Sequence, residues 1–471
     1  MSTSNGTEKT CATQRATSFE VIALDTASLG DRSYLVHDGE VAFVIDPQRD
    51  LDRVESLLEQ HRVRLLAVFE THIHNDYVTG GFALAERHAA AYYVNAADDV
   101  TFTRTPISDG ETVAVGDRMR VTAVATPGHT FTHLAFALHE AGETIGDSAA
   151  LFSGGSLLYG ATGRPDLLGA EHAEHLAQHQ HASAHRIAAL LPGSTDLYPT
   201  HGFGSFCSAT QSEATSSTIE QEIAVNPALT QDAATYVREL LAGLDAWPAY
   251  YVHMAPQNAT GPAATDLALP DRADATEIER RIAQGEWVVD LRTRTAFAAG
   301  HTPGALNFGT DGALATYLGW LIPWGTALTL LGESADQVSE AIRELSRIGV
   351  DSPVAHATGG PEDWGQQTTG HPTATFADLA DVRSHRAVHL LDVRRAKEFE
   401  AAHLRGAQSI PLHELLARID EVPAGEVWVH CAGGYRASIA ASILAAAGRR
   451  PVAIDDAFGN AAEADLESPG R

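Results

Sequence analysis

Thr71-His72-Ile73-His74-Asn75-Asp76-Tyr77 is the stretch that decides the fold of the first half of this chain. One glutamate separates it from the apolar run Leu65-Leu66-Ala67-Val68-Phe69, so a buried strand is expected to empty into a polar loop here. His72, His74 and Asp76 stand at i, i+2 and i+4, and in an extended segment they would face one way. Two further histidines follow strand-like runs: His129 in Thr126-Pro127-Gly128-His129-Thr130, and His201 in Tyr198-Pro199-Thr200-His201-Gly202. Neutral imidazole is a good ligand for zinc or iron, and three such groups plus water make an open site. The chain has 23 histidines, so residue type alone singles out none of them; position after a buried strand does.

Working outward, residues 18–205 read as short apolar strands separated by turns and helices. Val41-Ala42-Phe43-Val44-Ile45-Asp46-Pro47 ends a strand at a turn, residues 51–61 read as an amphipathic helix, and residues 119–125 alternate. This texture predicts an α/β sandwich. Residues 209–250 read as mostly helical, with Asn226-Pro227 as a helix start, and residues 258–270 as a linker rich in Ala, Pro, Gly and Thr.

Beyond the linker the chain repeats itself. Asp290 and Asp392, Phe297 and Phe399, and His301 and His403 are each 102 residues apart, in matching surroundings. Two tandem copies of one βα domain follow from that single offset. The expected division is a flexible leader at 1–17, a metal domain with a helical extension at 18–260, and repeat copies at 271–365 and 375–471.

Composition bounds the function. At 471 residues about three domains are expected, and 44% hydrophobic residues suffice to fill their cores. The net charge of −29, from 61 acids against 32 bases, argues against nucleic acid or an anionic membrane as the main partner. No apolar run approaches the ~18 residues of a membrane helix. Cys11, Cys207 and Cys431 are odd in number and far apart, so no disulfide framework is expected and a reducing cytoplasm is the default.

Cys431 carries the second constellation. In Cys431-Ala432-Gly433-Gly434-Tyr435-Arg436 it follows the apolar strand Val427-Trp428-Val429 and precedes the alanine-rich run 437–447. A cysteine opening a strand-to-helix loop places its sulfur in a bowl of backbone N–H groups at a helix N-terminus. That field favours a thiolate and cradles a persulfide anion, with Gly433 and Gly434 letting the loop wrap and Arg436 adding positive charge. The first copy runs from strand 327–331 into Gly332-Glu333-Ser334 with no cysteine. It reads as retained for packing or docking, with a catalytic role for Glu333 or Ser334 as the alternative.

Residues 71–81, 126–130, the run Gly163-Arg164-Pro165-Asp166-Leu167 and residues 198–207 together resemble the metallo-β-lactamase superfamily, and within it the persulfide dioxygenase group related to glyoxalase II. The Cys431 loop, with Asp392-Val393-Arg394 and residues 403–407, resembles the rhodanese active loop. The fold this implies is an αββα sandwich followed by two rhodanese-like α/β domains with parallel sheets. Two positions depart from the first family: Tyr77 stands where glyoxalase II has a second-metal histidine, and Gly155 stands where the family has a metal-bridging aspartate. The dioxygenases hold Fe(II) with two histidines and that carboxylate, so the resemblance carries over His72 and His129 and leaves the third ligand open. What remains is His72, His74 and His129, which resembles the three-histidine zinc site of some superfamily members; Asp76 is a nearby acid that could complete it instead, Asp147 a weaker one, and His201 a further imidazole candidate. Cys207 matches a cysteine of fusions with this domain order and is a candidate for sulfur relay. Arg164 is a candidate substrate clamp, with a structural turn role as its alternative. The histidines at 172, 175, 179, 181 and 185 read as a solvated helix face.

The resemblance implies a sulfur-handling enzyme with one metal ion, Fe(II) or Zn(II), acting on a low-molecular-weight thiol persulfide or thiosulfate, with Cys431 relaying sulfane sulfur. Asp76 would orient or deprotonate a nucleophilic water if the domain is instead a zinc thiolesterase. A metal-free scaffold presenting carriers to Cys431 is the third reading. A homo-oligomer is allowed for.

Overall fold

The computed structural model describes residues 14–16, 19–210, 212, 214–351, 353–464 and 466–469. Cys11 and most of the expected leader lie outside the described residues; its segment β1 (Gln14–Ala16) pairs antiparallel with β2 (Phe19–Thr26). The chain divides into two compact units. One runs to Thr265 and takes in Arg347–Gly349; the other holds Asp266–Ser346 and everything from Val350.

The first unit stacks two sheets between helices. Its seven-stranded sheet runs in chain order: β1, β2, β3 (Asp31–His37), β4 (Val41–Ile45), β5 (Arg64–Phe69), β6 (Ala91–Asn95) and β7 (Thr105–Ile107). The second sheet contains β8 (Thr112–Val115), β9 (Met119–Ala125), β10 (Leu134–Glu140), β11 (Ala150–Gly154) and β12 (Asp196–Pro199), in the order β12-β11-β10-β9-β8. Alternation sorts the side chains. In β4, Phe43 and Ile45 join Tyr34, Phe69, Phe136 and Phe152 between the sheets, while Ala42 and Val44 face Val54, Leu58 and Leu84 of the outer helices Asp52–His61 and Gly81–His88. Helix Ala173–Leu190 covers the other sheet, packing Ala177, Ala184 and Ile187 on Leu151 and Leu197. The result is the expected αββα sandwich. Parallel pairing of β4 with β5 and of β11 with β12 gathers the segments after β5, β11 and β12 at strand ends, and these segments carry the candidate ligands.

The second unit contains two parallel sheets with separate cores. The first comprises β13 (Trp287–Asp290), β14 (Leu306–Asn307), β15 (Leu328–Gly332) and β16 (Ala355–Thr358), ordered β14-β13-β15-β16. The second copy supplies β17 (Thr373–Ala374), β18 (His389–Asp392), β19 (Ala402–Leu404), β20 (Gln408–Ser409), β21 (Glu426–His430), β22 (Arg450–Ile454) and β23 (Glu467–Pro469); its main sheet is β17-β22-β21-β18-β20. The repeat extends to individual bonds. Arg292 pairs with Asp290 at 2.6 Å and Arg394 with Asp392 at 2.7 Å, while His301 and His403 stack on Phe297 and Phe399. Strand register pairs Leu331 with Asp290 and His430 with Asp392, so Gly332 occupies in the first copy the place of Cys431 in the second.

Candidate metal centre and cysteine loop

The loop leaving β5 does not continue as a strand, so His72, His74 and Asp76 do not share one face. All three are buried, as are His129 and His201. The donor atoms of His72, His129 and His201 lie within 4.8 Å of one another, and so do those of His74, Asp76 and His201; His201 is common to both groups. His74 belongs to a third such group with Asp46 and Glu70, and its ring stacks on Tyr77 at 4.3 Å.

Hydrogen bonds fix which nitrogen of each ring is free. Asp46 accepts from the Thr71 amide and from Thr71 Oγ1, both at 2.7 Å, and from Thr200 Oγ1 at 2.5 Å. With its own proton committed, Thr71 Oγ1 accepts from His72 Nδ1–H at 2.9 Å, so the lone pair of His72 lies on Nε2. His129 Nδ1–H donates to the Arg164 carbonyl at 2.8 Å, and its Nε2 is buried without a hydrogen-bond partner. His201 Nδ1–H donates to Asp31 Oδ1 at 2.9 Å, with Asp76 Oδ2 at 3.2 Å, and its Nε2 stands 3.4 Å from His72 Nε2. His74 turns Nε2 toward Tyr77 Oη at 3.0 Å and toward Asp46 and Glu70, each at 3.3 Å; its buried Nδ1 has no hydrogen-bond partner.

This donor set fits a metal. Each of three rings has one nitrogen held by a carbonyl, hydroxyl or carboxylate and presents the other, the outer arrangement by which proteins orient histidine ligands. Two nitrogens bound at ~2.0–2.1 Å to a tetrahedral ion would be about 3.3 Å apart. The 3.4 Å between His72 and His201 is close to that spacing. Burial, reinforced by neighbouring histidines, pushes His72 well below its ordinary value, and burial takes His129 down to about 3, so both are neutral. His201 and His74 go the other way. Burial opposes their charge, but Asp76 and Asp31 hold His201 at about 10, and Asp46 and Glu70 hold His74 at about 9. A proton or a metal cation answers the same carboxylates.

The two departures have physical consequences. A Cβ on Gly155 would lie 2.3 Å from His129 Cδ2, so the ring occupies the space that a side chain at position 155 would need. Tyr77 is buried, with its hydroxyl against His74. Asp147 is exposed and accepts from the Thr144 amide and hydroxyl at 3.0 and 2.8 Å; it caps its own turn, which corrects its reading as a substitute ligand.

Arg164 is buried. Its guanidinium pairs with Asp166 at 2.7 and 2.8 Å and donates to the carbonyls of Phe206 and Asp245, the structural alternative rather than an open clamp. Cys207 is fully buried, and burial, then Asp76 and Asp31, push its thiol well up. On helix Ala173–Leu190, His175 is exposed and His179 half-buried, with Nε2 atoms 3.1 Å apart, while half-buried His181 meets the Gln231 carbonyl at 3.1 Å, so the cluster is only in part a solvated face.

In the second unit Cys431 closes β21 and helix Tyr435–Ala446 follows. The Gly434 amide donates to Cys431 Sγ at 3.1 Å. Gly434 has φ of 95°, a conformation that glycine adopts without strain. Arg436 does not turn a free charge to the sulfur: it forms a bidentate pair with Glu398 at 2.6 and 2.8 Å. Glu333 is exposed, and Ser334 Oγ accepts from the Gln337 amide at 3.2 Å. Sequence reasoning missed Asp31, Asp46, Glu70 and Glu398, which hold the named residues, and His133, which stacks on His72 at 4.9 Å and accepts from the Gly155 amide at 3.0 Å. Asp31 lies 170 residues from the histidine it orients, and no local spacing reports that. Asp46, before a proline at a strand end, was the one visible signal.

Residues 31–201 match the metallo-beta-lactamase superfamily, and residues 274–367 and 375–458 each match the rhodanese-like domain. A hydroxyacylglutathione hydrolase of Halorhodospira halophila is 34% identical over 165 residues, 35% of this chain and 58% of that protein. The human mitochondrial persulfide dioxygenase ETHE1 is 29% identical over 214 residues, 45% of this chain and 74% of that protein. A crystal structure of a metallo-beta-lactamase from Staphylococcus aureus subsp. aureus COL superposes with a TM-score of 0.64 at 25% identity, covering 73% of this chain and all of the other. Among the described residues, no helix is long and apolar enough to cross a membrane.

Proposed function

We propose that this chain, which carries a metallo-β-lactamase domain and two rhodanese-like domains, is a sulfur-metabolism enzyme that oxidises a low-molecular-weight thiol persulfide at its metal domain and relays sulfane sulfur through Cys431. The observation that carries the first half is the set of buried imidazole nitrogens on His72, His129 and His201, each presented by a ring whose other nitrogen is held. These residues would hold one ion, Fe(II) or Zn(II), with His74 and Asp76 beside it. When bound, that ion supplies Lewis acidity and, if it is iron, the capacity to react with O2. The chain's own contribution is orientation: Asp46 through Thr71 fixes the tautomer of His72, the Arg164 carbonyl that of His129, and Asp31 that of His201.

At Cys431 the thiolate attacks the outer sulfur of the donor. A new Sγ–S bond forms, the donor's S–S bond breaks, and its electron pair leaves with sulfite when thiosulfate is the donor, or with a thiolate when an organic persulfide is. The Gly434 amide and the start of helix Tyr435–Ala446 hold the negative sulfur before and after transfer. Cys207 is fully buried, and the relay is assigned here to Cys431.

The absence of a carboxylate at position 155 favours a second reading, a zinc thiolesterase fused to the same sulfurtransferase, and the likeness to a hydroxyacylglutathione hydrolase supports it. Metal analysis of the purified chain alongside O2 uptake with glutathione persulfide separates them. Stoichiometric iron with persulfide-dependent uptake is the expected result. Tight zinc without uptake supports the hydrolase, and an empty site supports the scaffold.

A further inference from the structure

Helix Tyr435–Ala446 is alanine-rich and buried from Ala437 to Leu444, yet besides Arg436 it carries polar groups at Tyr435, Ser438 and Ser442. These positions are i, i+3 and i+7, a single stripe. Every member bonds to the copy that lacks a cysteine. Tyr435 Oη donates to the Gly309 carbonyl at 2.8 Å, Ser438 Oγ donates to Asn307 Oδ1 at 2.7 Å, and Ser442 Oγ accepts from the Asn307 amide at 3.1 Å. Asn307 is buried, and its side-chain amide donates to the carbonyls of Asp290 and Arg292, so its own sheet fixes its orientation. A buried serine is costly unless satisfied; Ser438 donates to the other copy, while Ser442 donates to the Ile439 carbonyl of its own helix at 2.7 Å and accepts from the other copy.

A second contact reaches the active loop directly. Arg294 of the first copy donates from Nε to Asp455 Oδ1 at 2.7 Å. That carboxylate oxygen is 2.1 Å, and Arg294 Nε 3.0 Å, from where a Cβ on Gly434 would sit, so the pair is seated against the glycine whose amide meets Cys431 Sγ.

We propose that the cysteine-less copy is a working half of the sulfur-transfer site, and that Asn307, Gly309 and Arg294 position the loop and helix end that hold the Cys431 thiolate. Tyr435, Ser438 and Asp455 are the receiving positioning residues. The inference rests on Cys431 being the sulfur-carrying nucleophile and assigns the duplicated domain a role in its geometry. It also accounts for the retention of a domain whose own loop has Gly332 at the cysteine's place.

The test uses the full chain with Tyr435→Phe, Ser438→Ala and Arg294→Gln, and with Arg280→Gln on the exposed face of helix Ala275–Ala283 as a control. The rate of iodoacetamide labelling of Cys431 is followed against pH by mass spectrometry, beside kcat and KM for thiosulfate-to-cyanide transfer. The expected result is a Cys431 labelling profile displaced to higher pH, with labelling at pH 7 and kcat each about two- to fivefold lower, the size of a helix-terminus effect. KM stays near that of the parent, and the control is unchanged. Folded Tyr435→Phe and Arg294→Gln variants with the parent's labelling profile and kcat would overturn the proposal. Full transfer activity in Cys431→Ser would instead remove the nucleophile reading, and the labelling profile would still report the positioning on its own.

Discussion

His72 Nε2 and His201 Nε2 face each other across 3.4 Å, each ring held from behind, one by the Thr71 hydroxyl and the other by the Asp31 carboxylate. Asp31 and Asp76 keep a proton on His201, which its Nε2 turns toward the His72 lone pair, and a metal cation would take that proton's place between the two nitrogens. His201→Ala and His129→Ala are therefore expected to lose bound metal, while His175→Ala, at an exposed position of helix Ala173–Leu190, keeps it. Asp31→Asn, which disturbs only the outer partner, is expected to weaken binding about 10- to 100-fold. Elemental analysis and competition with a chelator measure both. Full metal in His201→Ala would show that this ring is not a ligand.

Restoring the family carboxylate is not expected to restore the family site. A side chain at position 155 meets His129 Cδ2 at 2.3 Å, so Gly155→Asp has to displace a ring tied to the Arg164 carbonyl. Thermal melting should fall by the equivalent of about 1–3 kcal/mol, as overpacked cores do. Metal content should not rise; a stable variant with added metal would contradict the packing argument.

The proposed nucleophile, Cys431, has no counterpart in the first copy, where Gly332 takes its place. Cys431→Ser should abolish thiosulfate-to-cyanide sulfur transfer. Adding Gly332→Cys to that variant should not recover it, because a Cβ at 332 falls 2.9 Å from Val338 Cγ2 and the loop beyond lacks the Gly433-Gly434 pair. Cyanide-dependent thiocyanate formation reads both, and recovery would mean the first loop can form a working bowl.

Glu398 makes the second unit sensitive to acid. Burial alone would raise its carboxyl, but the bidentate Arg436 overcomes this and holds it at about 2, below its ordinary 4.5. A carboxylate depressed on folding contributes stability above its unfolded value that is lost as pH falls through the folded one. Glu398→Gln should therefore be less stable than the parent at pH 7, with the gap closing between pH 4.5 and 2. Melting curves across that range check the sign; a gap that widens toward acid would refute the pairing.

Much of this protein was legible in local pattern. Alternation in Val41–Ile45 and Met119–Ala125 marked strands because side-chain period is a property of the backbone, and the 102-residue spacing of Asp290 and Asp392 marked a duplication whose ion pairs and histidine stacks recur. Cys431 was legible for the same reason: a strand, a glycine turn and a helix are consecutive in the chain, and their order alone places a sulfur at a helix start.

The sequence by itself determined the sandwich, the tandem parallel domains, the strand-to-helix loop that carries Cys431 and the loops that carry the candidate imidazoles. Only the tertiary structure decided what each charged group faces. Arg436 reads as a free cation beside the sulfur until Glu398, 38 residues away, takes both its terminal nitrogens; Arg164 reads as a clamp until Asp166 and two carbonyls occupy it. His201 becomes a full partner of His72 because Asp31, 170 residues distant, orients it. The physical reason is range. Backbone periodicity and turn chemistry act over a few residues and are written in consecutive letters, whereas the tautomer and charge of a buried group depend on whatever the fold brings within about 4 Å of it, at any distance along the chain.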